Sequence, residues 1–186
     1  VGVLENWTPG TNFCNWNGVA CSNDQVNIVS LNLSGSGLIG SVSPQLSQLS
    51  SLQILDLSMN SLTGMVPPDL GKLQELRQLL LFANSLSGII PAEIGLLKKL
   101  QVMRIGDNLL TGQVIPEIGN LTELRVLGLA YCQFNGSIPK EIGNLKHLKA
   151  LDLQENDLDG PIPTEIGSCT DLQDFAASNN RLEGKI

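Results

Sequence analysis

An arginine and a glycine interrupt a regular leucine pattern in the stretch VMRIGDN, residues 102–108. A guanidinium presents a planar fork of N–H donors that matches the paired oxygens of a carboxylate or a sulfate. Arg104 is therefore a candidate anion-binding residue, provided that its side chain faces a surface that a ligand can reach. The alternative is a surface arginine that pairs with Asp107 or Asp56 and contributes little energy.

Other reactive side chains are sparse. His147 is the only histidine, so no catalytic dyad is predicted, and no phosphate-binding loop or metal-ligand cluster is present in the sequence. We therefore predict a chain with no catalytic residues, no cofactor and no metal. Cys132 and Cys169 lie inside the repeats described below, and we expect buried free thiols there rather than a second disulfide or a metal site.

The cysteine pair near the start and the glycosylation sequons indicate a secreted protein. The 186 residues carry a formal net charge of −7, which argues against nucleic acid and anionic membrane as main partners. No apolar run is long enough to span a membrane, and no signal segment opens the chain, so any secretory signal has been removed or left out. Cys14 and Cys21 are close enough for a short disulfide loop, and four N-x-[ST] sequons favour an oxidising, glycosylating compartment. The sequon residues are Asn6, Asn32, Asn120 and Asn135.

A repeat of 24 residues dominates the sequence. Its pattern, L-x-x-L-x-L-x-x-N-x-L-x-G-x-I-P-x-x-I-G-x-L, has the spacing of the leucine-rich repeat. We predict an N-terminal cap over residues 1–27 and repeats over 28–186, about six and a half copies, with the last copy truncated. The copies begin at Ile28, Leu52, Leu76, Leu100, Leu124, Leu148 and Leu172.

This repeat predicts an α/β solenoid, a right-handed superhelix with a parallel concave sheet. Each L-x-L forms a short strand whose leucines point inward, and the strands of successive coils stack because no coil can bury its own leucines. One column of asparagines, for example Asn108, should satisfy backbone groups in the tight bends. A column of glycines marks a turn, and a column of prolines favours an extended segment on the outer side.

Two motifs carry a family resemblance. The L-T-G-x-I-P-x-x-I-G-N-L stretches resemble the plant-specific class of leucine-rich repeats. The C-x-W-x-G-V-x-C stretch from Cys14 to Cys21 resembles the disulfide-containing N-terminal cap of plant receptor kinases. Together they cover nearly the whole chain. The segments LFANSLSG, MRIGDNLLTG and LAYCQFNGSIP are most similar to peptide-hormone receptors of the GASSHO/Schengen type.

The resemblance implies a single-pass receptor of the plasma membrane. Its extracellular region would bind a secreted peptide and recruit a co-receptor kinase ectodomain of the somatic-embryogenesis type. A Ser/Thr kinase domain is expected in the full-length receptor, whereas this fragment should be non-catalytic and make no direct membrane contact. Because the chain stops partway through a copy, we expect an N-terminal fragment of a longer ectodomain.

The outward strand positions, the third, fifth, seventh and eighth of each copy, should line the concave face. Arg104 is the only Lys or Arg among them, and apolar residues cluster around it, which suggests a binding patch. Further along, the face becomes acidic at Asp152, Glu155 and Asp174, which we interpret as a solvated face that could also accept a basic segment. The predicted peptide-binding residues are Leu80, Phe82, Val102, Arg104, Gly106, Asp107, Val126, Gly128, Ala130, Tyr131, Asp152 and Gln154.

The sharpest hypothesis is a tyrosine-sulfate site. Gly106, Gly128 and Ala130 would leave room for the ring, and Arg104 would reach the sulfate. Residues 104–107 resemble the R-x-G-G motif that related receptors use for sulfotyrosine, but Asp107 replaces the last glycine. The alternatives are a cell-wall defence protein that inhibits a pathogen polygalacturonase-type hydrolase, or a co-receptor ectodomain. A glycan on Asn32, also on the concave face, would confine a ligand to later coils.

Overall fold

The computed structural model describes residues 4–184, so the first three and the last two residues lie outside the described part. The described chain winds through fifteen short strands and seven 3-10 helices, and nearly every coil contributes one strand to each of two sheets. The eight-stranded sheet comprises β1 Val19–Cys21, β2 Ile28–Asn32, β4 Ile54–Asp56, β6 Gln78–Leu80, β8 Val102–Arg104, β10 Val126–Gly128, β12 Ala150–Asp152 and β14 Asp174–Ala176.

The eight-stranded sheet corresponds to the predicted concave sheet. Apart from the antiparallel pair β1–β2, its strands pair in parallel and in sequence order, with a constant offset of 24 residues. Alternation along the strands from β4 to β12 buries the central residue, such as Met103 at 1% exposure, and turns its two neighbours to the other face. The predicted leucine-rich-repeat fold is thereby confirmed.

A second parallel sheet was not predicted. Its strands lie around the L-x-G part of the repeat. For this part the sequence predicted only a turn and an extended segment. The glycine of this strand adopts a positive φ, as at Gly112 with φ 78°, so a left-handed residue lies inside a paired strand. The seven strands are β3 Ile39–Ser41, β5 Ser61–Gly64, β7 Ser85–Gly88, β9 Leu109–Gln113, β11 Gln133–Ser137, β13 Asp157–Pro161 and β15 Arg181–Glu183.

The helical segments are single 3-10 turns rather than α-helices. In most coils a proline in extended conformation precedes the turn or begins it, and a leucine closes it, as Pro139 and Leu145 do around η6. Within residues 4–184 no helix has both the length and the apolar character needed to cross a bilayer. The turns are η1 Phe13–Asn15, η2 Pro44–Gln48, η3 Pro68–Lys72, η4 Ala92–Leu96, η5 Pro116–Asn120, η6 Lys140–Asn144 and η7 Thr164–Ser168.

The asparagine column forms the predicted ladder. Asn108 Nδ2 donates to the carbonyls of Leu81, Ile105 and Gly106 at 2.9–3.1 Å, and its Oδ1 accepts from the backbone N–H of Leu86 at 2.9 Å. The same pattern recurs at Asn60, Asn84, Asn156 and Asn180. Each asparagine therefore joins its own coil to the preceding one through backbone groups that would otherwise be unsatisfied.

The N-terminal cap covers the first coil. Trp7 stacks on Trp16 with a ring-centroid distance of 4.8 Å, and the Trp7 indole donates to the Asn17 carbonyl. Cys14 and Cys21 form the predicted disulfide, which ties η1 to β1. The antiparallel pair β1–β2 gives the first repeat strand a neighbour, so its edge is not left open.

Candidate functional site

Register in the eight-stranded sheet places Arg104 in a row of outward-facing residues. Arg104 in β8 lies opposite Leu80 in β6 and Gly128 in β10, and Gly128 lies opposite Asp152 in β12. Because the offset is constant, every outward position of the repeat forms such a row across the coils. The neighbouring row, two residues earlier in each strand, contains Gln78, Val102, Val126, Ala150 and Asp174.

The Arg104 guanidinium is available to a ligand. The side chain is exposed and forms no salt bridge with any residue of the described chain. Asp56, one suggested partner, instead accepts hydrogen bonds from the backbone N–H and the hydroxyl of Ser58. The aliphatic part of Arg104 lies over Gly128, because a Cβ at Gly128 would lie 3.3 Å from Arg104 Cγ. The alternative of a surface pair with Asp107 or Asp56 is therefore not what the structure contains.

A cavity of about 380 Å³ opens beside Arg104 on this face. Val126 and Ala150 of the sheet line it, together with Phe82 and with Tyr131, which is 54% exposed. Such a site offers apolar surface to a side chain and donors to an anionic tip. The lining residues are Phe82, Arg104, Gly106, Asp107, Val126, Leu127, Gly128, Ala130, Tyr131, Ala150, Leu151, Asp152, Asp174 and Ala176.

Most of the predicted peptide-binding residues line this one cavity. The exceptions are Leu80, Val102 and Gln154, which lie on neighbouring positions of the same face. Three outward-facing lining residues, Ala150, Asp174 and Ala176, were not among the predicted site residues, and neither were the inward-facing Leu127 and Leu151. The signal that could have found the outward-facing three is the row pattern, since they continue the rows of Val126 and Gly128 into the next two coils.

Both glycines line the cavity, but neither has open space in the direction of its missing side chain. A Cβ at Gly106 would lie 2.4 Å from the carbonyl oxygen of Ala130, and both residues are buried. Gly106 thus permits two coils to approach closely, while the space above Gly128 is taken by the Arg104 stem. The cavity lining also includes Val126, on the coil of Gly128, and Ala150, on the next coil.

Asp107 occupies a left-handed backbone position, which the repeat imposes on every coil. Asp107 has φ 53°, and the equivalent residues of the other coils have φ between 53° and 57°. These residues are Met59, Ala83, Tyr131, Glu155 and Asn179. Glycine suits this region best, and aspartate tolerates it better than most residues. The glycine that ends an R-x-G-G motif therefore has a conformational reason, and Asp107 meets the same requirement while adding a carboxylate.

Three of the four sequon asparagines are exposed: Asn32, Asn120 and Asn135. Asn6 is half-buried, and its Nδ2 donates to the Asn15 carbonyl at 2.8 Å. Since a glycan is attached at Nδ2, the folded cap already uses the atom that would carry the sugar. Asn32 lies in β2 on the same face as Arg104. Glycosylation at all four positions stays a prediction, and Asn6 has the least suitable geometry for it.

Cys132 and Cys169 are both free thiols. Cys169 is buried, as predicted, and its Sγ donates to the Ile142 carbonyl at 3.1 Å. Cys132 was also predicted to be buried but is only half-buried, because it lies in the ladder column near the surface of the coil. Burial raises the pKa of both thiols, which keeps them protonated near neutral pH.

Comparisons with known proteins identify the repeat and the cap. A leucine rich repeat model matches residues 26–86, and a second model of this repeat matches residues 123–145 and 147–169. A leucine rich repeat N-terminal domain model matches residues 1–22. Among curated proteins, the receptor-like serine/threonine-protein kinase GSO2 of Arabidopsis thaliana is 46% identical over 55 residues, which is 29% of this chain and 4% of GSO2.

The chain spans only a small part of its curated plant relatives, with matched shares of 4% to 8% of their lengths. Among solved structures, the Arabidopsis receptor kinase HAESA in complex with the peptide hormone IDA and the co-receptor SERK1 is similar, with TM-score 0.88 and 32% identity, covering 94% of this chain and 30% of HAESA. Pollen Receptor Kinase 3 has TM-score 0.89 and 34% identity, covering 98% of this chain and 89% of that one. The chain therefore belongs to the leucine-rich repeat family of plant receptor ectodomains.

Proposed function

We propose that this chain is the ligand-binding part of a plant receptor kinase of the GASSHO/Schengen type, which recognises a secreted peptide outside the cell. The observation that carries the proposal is the cavity beside the unpaired Arg104 on the eight-stranded sheet. An apolar floor with one free guanidinium fits a peptide side chain that is apolar along its length and anionic at its tip.

The peptide would lie across the coils, perpendicular to the strands, with one side chain in the cavity. Outward-facing residues follow one another in that direction at intervals of about 4.8 Å, so an extended peptide, which advances about 3.3 Å per residue, would place about three residues over two coil spacings. Leu80 and Val102, outside the cavity on the preceding coils, would contact the neighbouring ligand residues. The HAESA structure contains a peptide hormone and the co-receptor SERK1, which supports the same class of ligand and co-receptor here.

The finer proposal is that the anionic side chain is a sulfated tyrosine. Its ring would rest on Val126 and Ala150, close to Tyr131 on the coil of Val126, where an offset or edge-on ring contact is favourable. Its sulfate would accept from the Arg104 fork. A kinase domain in the full-length receptor, anchorage in the plasma membrane and recruitment of a co-receptor kinase ectodomain complete this proposal.

Calorimetric titration tests the proposal with a tyrosine-sulfated peptide and its unsulfated twin. We expect the sulfate to strengthen binding to the wild-type chain about tenfold, and Arg104→Ala to remove that advantage. Arg125→Ala is the matched control, because Arg125 is an exposed arginine on the next coil that does not line the cavity. The proposal fails if the Arg104→Ala variant distinguishes the two peptides as well as the wild type does.

A further inference from the structure

The cavity contains charges of both signs, and carboxylates outnumber the guanidinium. Arg104 is its one cationic side chain, whereas Asp107, Asp152 and Asp174 all line it. No salt bridge of the described chain involves any of these four residues. A ligand that is only anionic would gain from Arg104 and be repelled by the three carboxylates, so charge complementarity is incomplete for such a ligand.

Two of the three carboxylates, Asp152 and Asp174, are carried by strands other than that of Arg104. Arg104, Gly128 and Asp152 follow one another along a row on three adjacent strands. The backbones of Arg104 and Asp152 are therefore separated by two strand spacings, about 10 Å. Asp174 lies on the next strand, diagonal to Asp152. Gly128 lies between Arg104 and Asp152 in the row and has no side chain of its own, and the aliphatic stem of Arg104 lies over it. Asp107 is on the same coil as Arg104, two coils before Asp152 and three coils before Asp174.

We propose that this cavity selects a peptide segment that carries an anionic side chain and, about three residues away, a basic side chain. The inference rests on the proposed function and adds a second requirement to it. The anionic group lies at Arg104, and the lysine or arginine lies between Asp152 and Asp174. The spacing follows from the 10 Å separation, because an extended chain advances about 3.3 Å per residue.

The neighbouring charged groups support this pairing. Asp152 accepts a long hydrogen bond of 3.3 Å from the Gln154 backbone N–H, which leaves its second oxygen open. Asp174 has an exposed side chain with no hydrogen-bond partner among the described residues. Glu155 is also acidic and lies on the coil of Asp152, but it does not line the cavity, and it accepts a hydrogen bond from Asn179. Asp152 and Asp174 are therefore the specificity-determining residues.

The test uses capped tetrapeptides, since the natural ligand is not identified. The probes are sulfotyrosine-Ala-Ala-Lys and Lys-Ala-Ala-sulfotyrosine, each paired with a twin in which norleucine replaces lysine. Both orders are needed because the direction of the bound chain is open. Affinities are measured by calorimetry at low ionic strength and again at about 0.15 M salt, where the screening length is about 8 Å.

We expect lysine to strengthen binding about threefold to tenfold over norleucine in at least one order, with a smaller advantage at higher salt. In the Asp152→Asn, Asp174→Asn double variant the advantage should fall below about twofold. Glu155→Gln, which removes one negative charge from the same face outside the cavity, should retain it. Circular dichroism confirms that the variants are folded, and the single variant Asp174→Asn replaces the double variant if that one is not.

Two results overturn the inference. One is equal affinity for the lysine and norleucine twins in both orders, while the sulfate advantage still depends on Arg104. In that case the proposed function stands and the second requirement falls. The other is a lysine advantage that persists in the double variant, which would place the basic group elsewhere. If none of the four peptides binds, the proposed function and the inference both fail.

Discussion

The inward asparagine ladder and the outward row through Arg104 are built from the same 24-residue repeat, yet the ladder is uniform from coil to coil and the row is not. In the ladder, Asn60, Asn84 and Asn108 make nearly identical hydrogen bonds at 2.9–3.3 Å. In the row, Leu80, Arg104, Gly128 and Asp152 share a position but differ in size, polarity and charge. The ladder is repetitive because each coil has the same backbone groups to satisfy. The row is free to vary because solvent faces it, and variation there creates a site.

The ladder itself departs from uniformity at Cys132, which stands where the other coils have asparagine. The thiol is 3.9 Å from the Ile105 carbonyl, whereas the equivalent contacts of the asparagines are 2.9–3.0 Å. Cys132 follows Tyr131 directly, at the edge of the cavity. The weakest step of the ladder thus lies in the coil that contributes Val126 and Gly128 to the site.

The largest effect should come from breaking the ladder at its most buried step. Asn108→Ala removes three donated and one accepted hydrogen bond at a residue that is 7% exposed, so we expect a loss of about 3 kcal/mol in unfolding free energy. Urea unfolding followed by circular dichroism measures it. Asn120→Ala, at an exposed position, should change stability little, and a comparable loss in both variants would contradict the role of the ladder.

The next largest effect should come from the glycine that lies between the two regions. Gly106→Ala places a Cβ 2.4 Å from the Ala130 carbonyl oxygen, which forces the coils apart at a cost of about 2 kcal/mol. Gly167→Ala is the control, since a Cβ there meets no atom within 4 Å. The two variants are compared by thermal unfolding. Equal midpoints for Gly106→Ala and the wild type would show that the neighbouring coil yields without cost.

A third variant repairs the ladder. Cys132→Asn would supply donors to the Ile105 carbonyl and to the carbonyls of its own coil, as the other ladder residues do. We expect a gain of about 1 kcal/mol in unfolding free energy. The measurement is urea unfolding, with Cys132→Ala as the matched variant that removes the thiol and adds no donor. A loss of stability in Cys132→Asn would mean that this coil has adapted to the smaller side chain.

A smaller effect is expected on the outward side. Asp107→Asn removes the carboxylate placed with Arg104 and keeps a residue that tolerates φ 53°. Affinity for a tyrosine-sulfated peptide should rise about twofold to threefold, and affinity for the unsulfated twin should not change. Both are read by calorimetry. A uniform change for the two peptides would indicate that Asp107 affects the ligand backbone and not the sulfate.

The smallest effect concerns pH. Burial raises the folded-state pKa of the Cys132 and Cys169 thiols, so their contribution to stability is complete below the unfolded-state pKa, about 8.5, and is lost as pH rises through the folded-state pKa. Unfolding free energy should therefore decline slightly above that pH. The double variant Cys132→Ala, Cys169→Ala should show a shallower decline, and identical slopes would assign it to other groups.

The sequence predicted the inward half of this molecule well, since periodicity states directly which residues must be buried. The leucine spacing, the asparagine column and the Cys14–Cys21 pair each appear in the structure as expected. Local conformation was harder to predict. The second sheet depends on backbone partners that neighbouring coils supply, which a single repeat does not reveal. The 3-10 turns are closed by local backbone bonds, such as that from the Leu145 N–H to the Ile142 carbonyl.

In the candidate site, too, the sequence predicted the direction of side chains but not the details of their packing. Sequence alone determined that Arg104 points outward and that apolar residues surround it, because strand alternation assigns each side chain to a face. Only the tertiary structure decided which groups meet at the cavity: the Arg104 stem covers Gly128, the Ala130 carbonyl fills the space beside Gly106, and Asp174 joins the cavity from three coils after Arg104. Those outcomes depend on distances between stacked coils, and a repeat pattern encodes the order of the coils but not the space between their side chains.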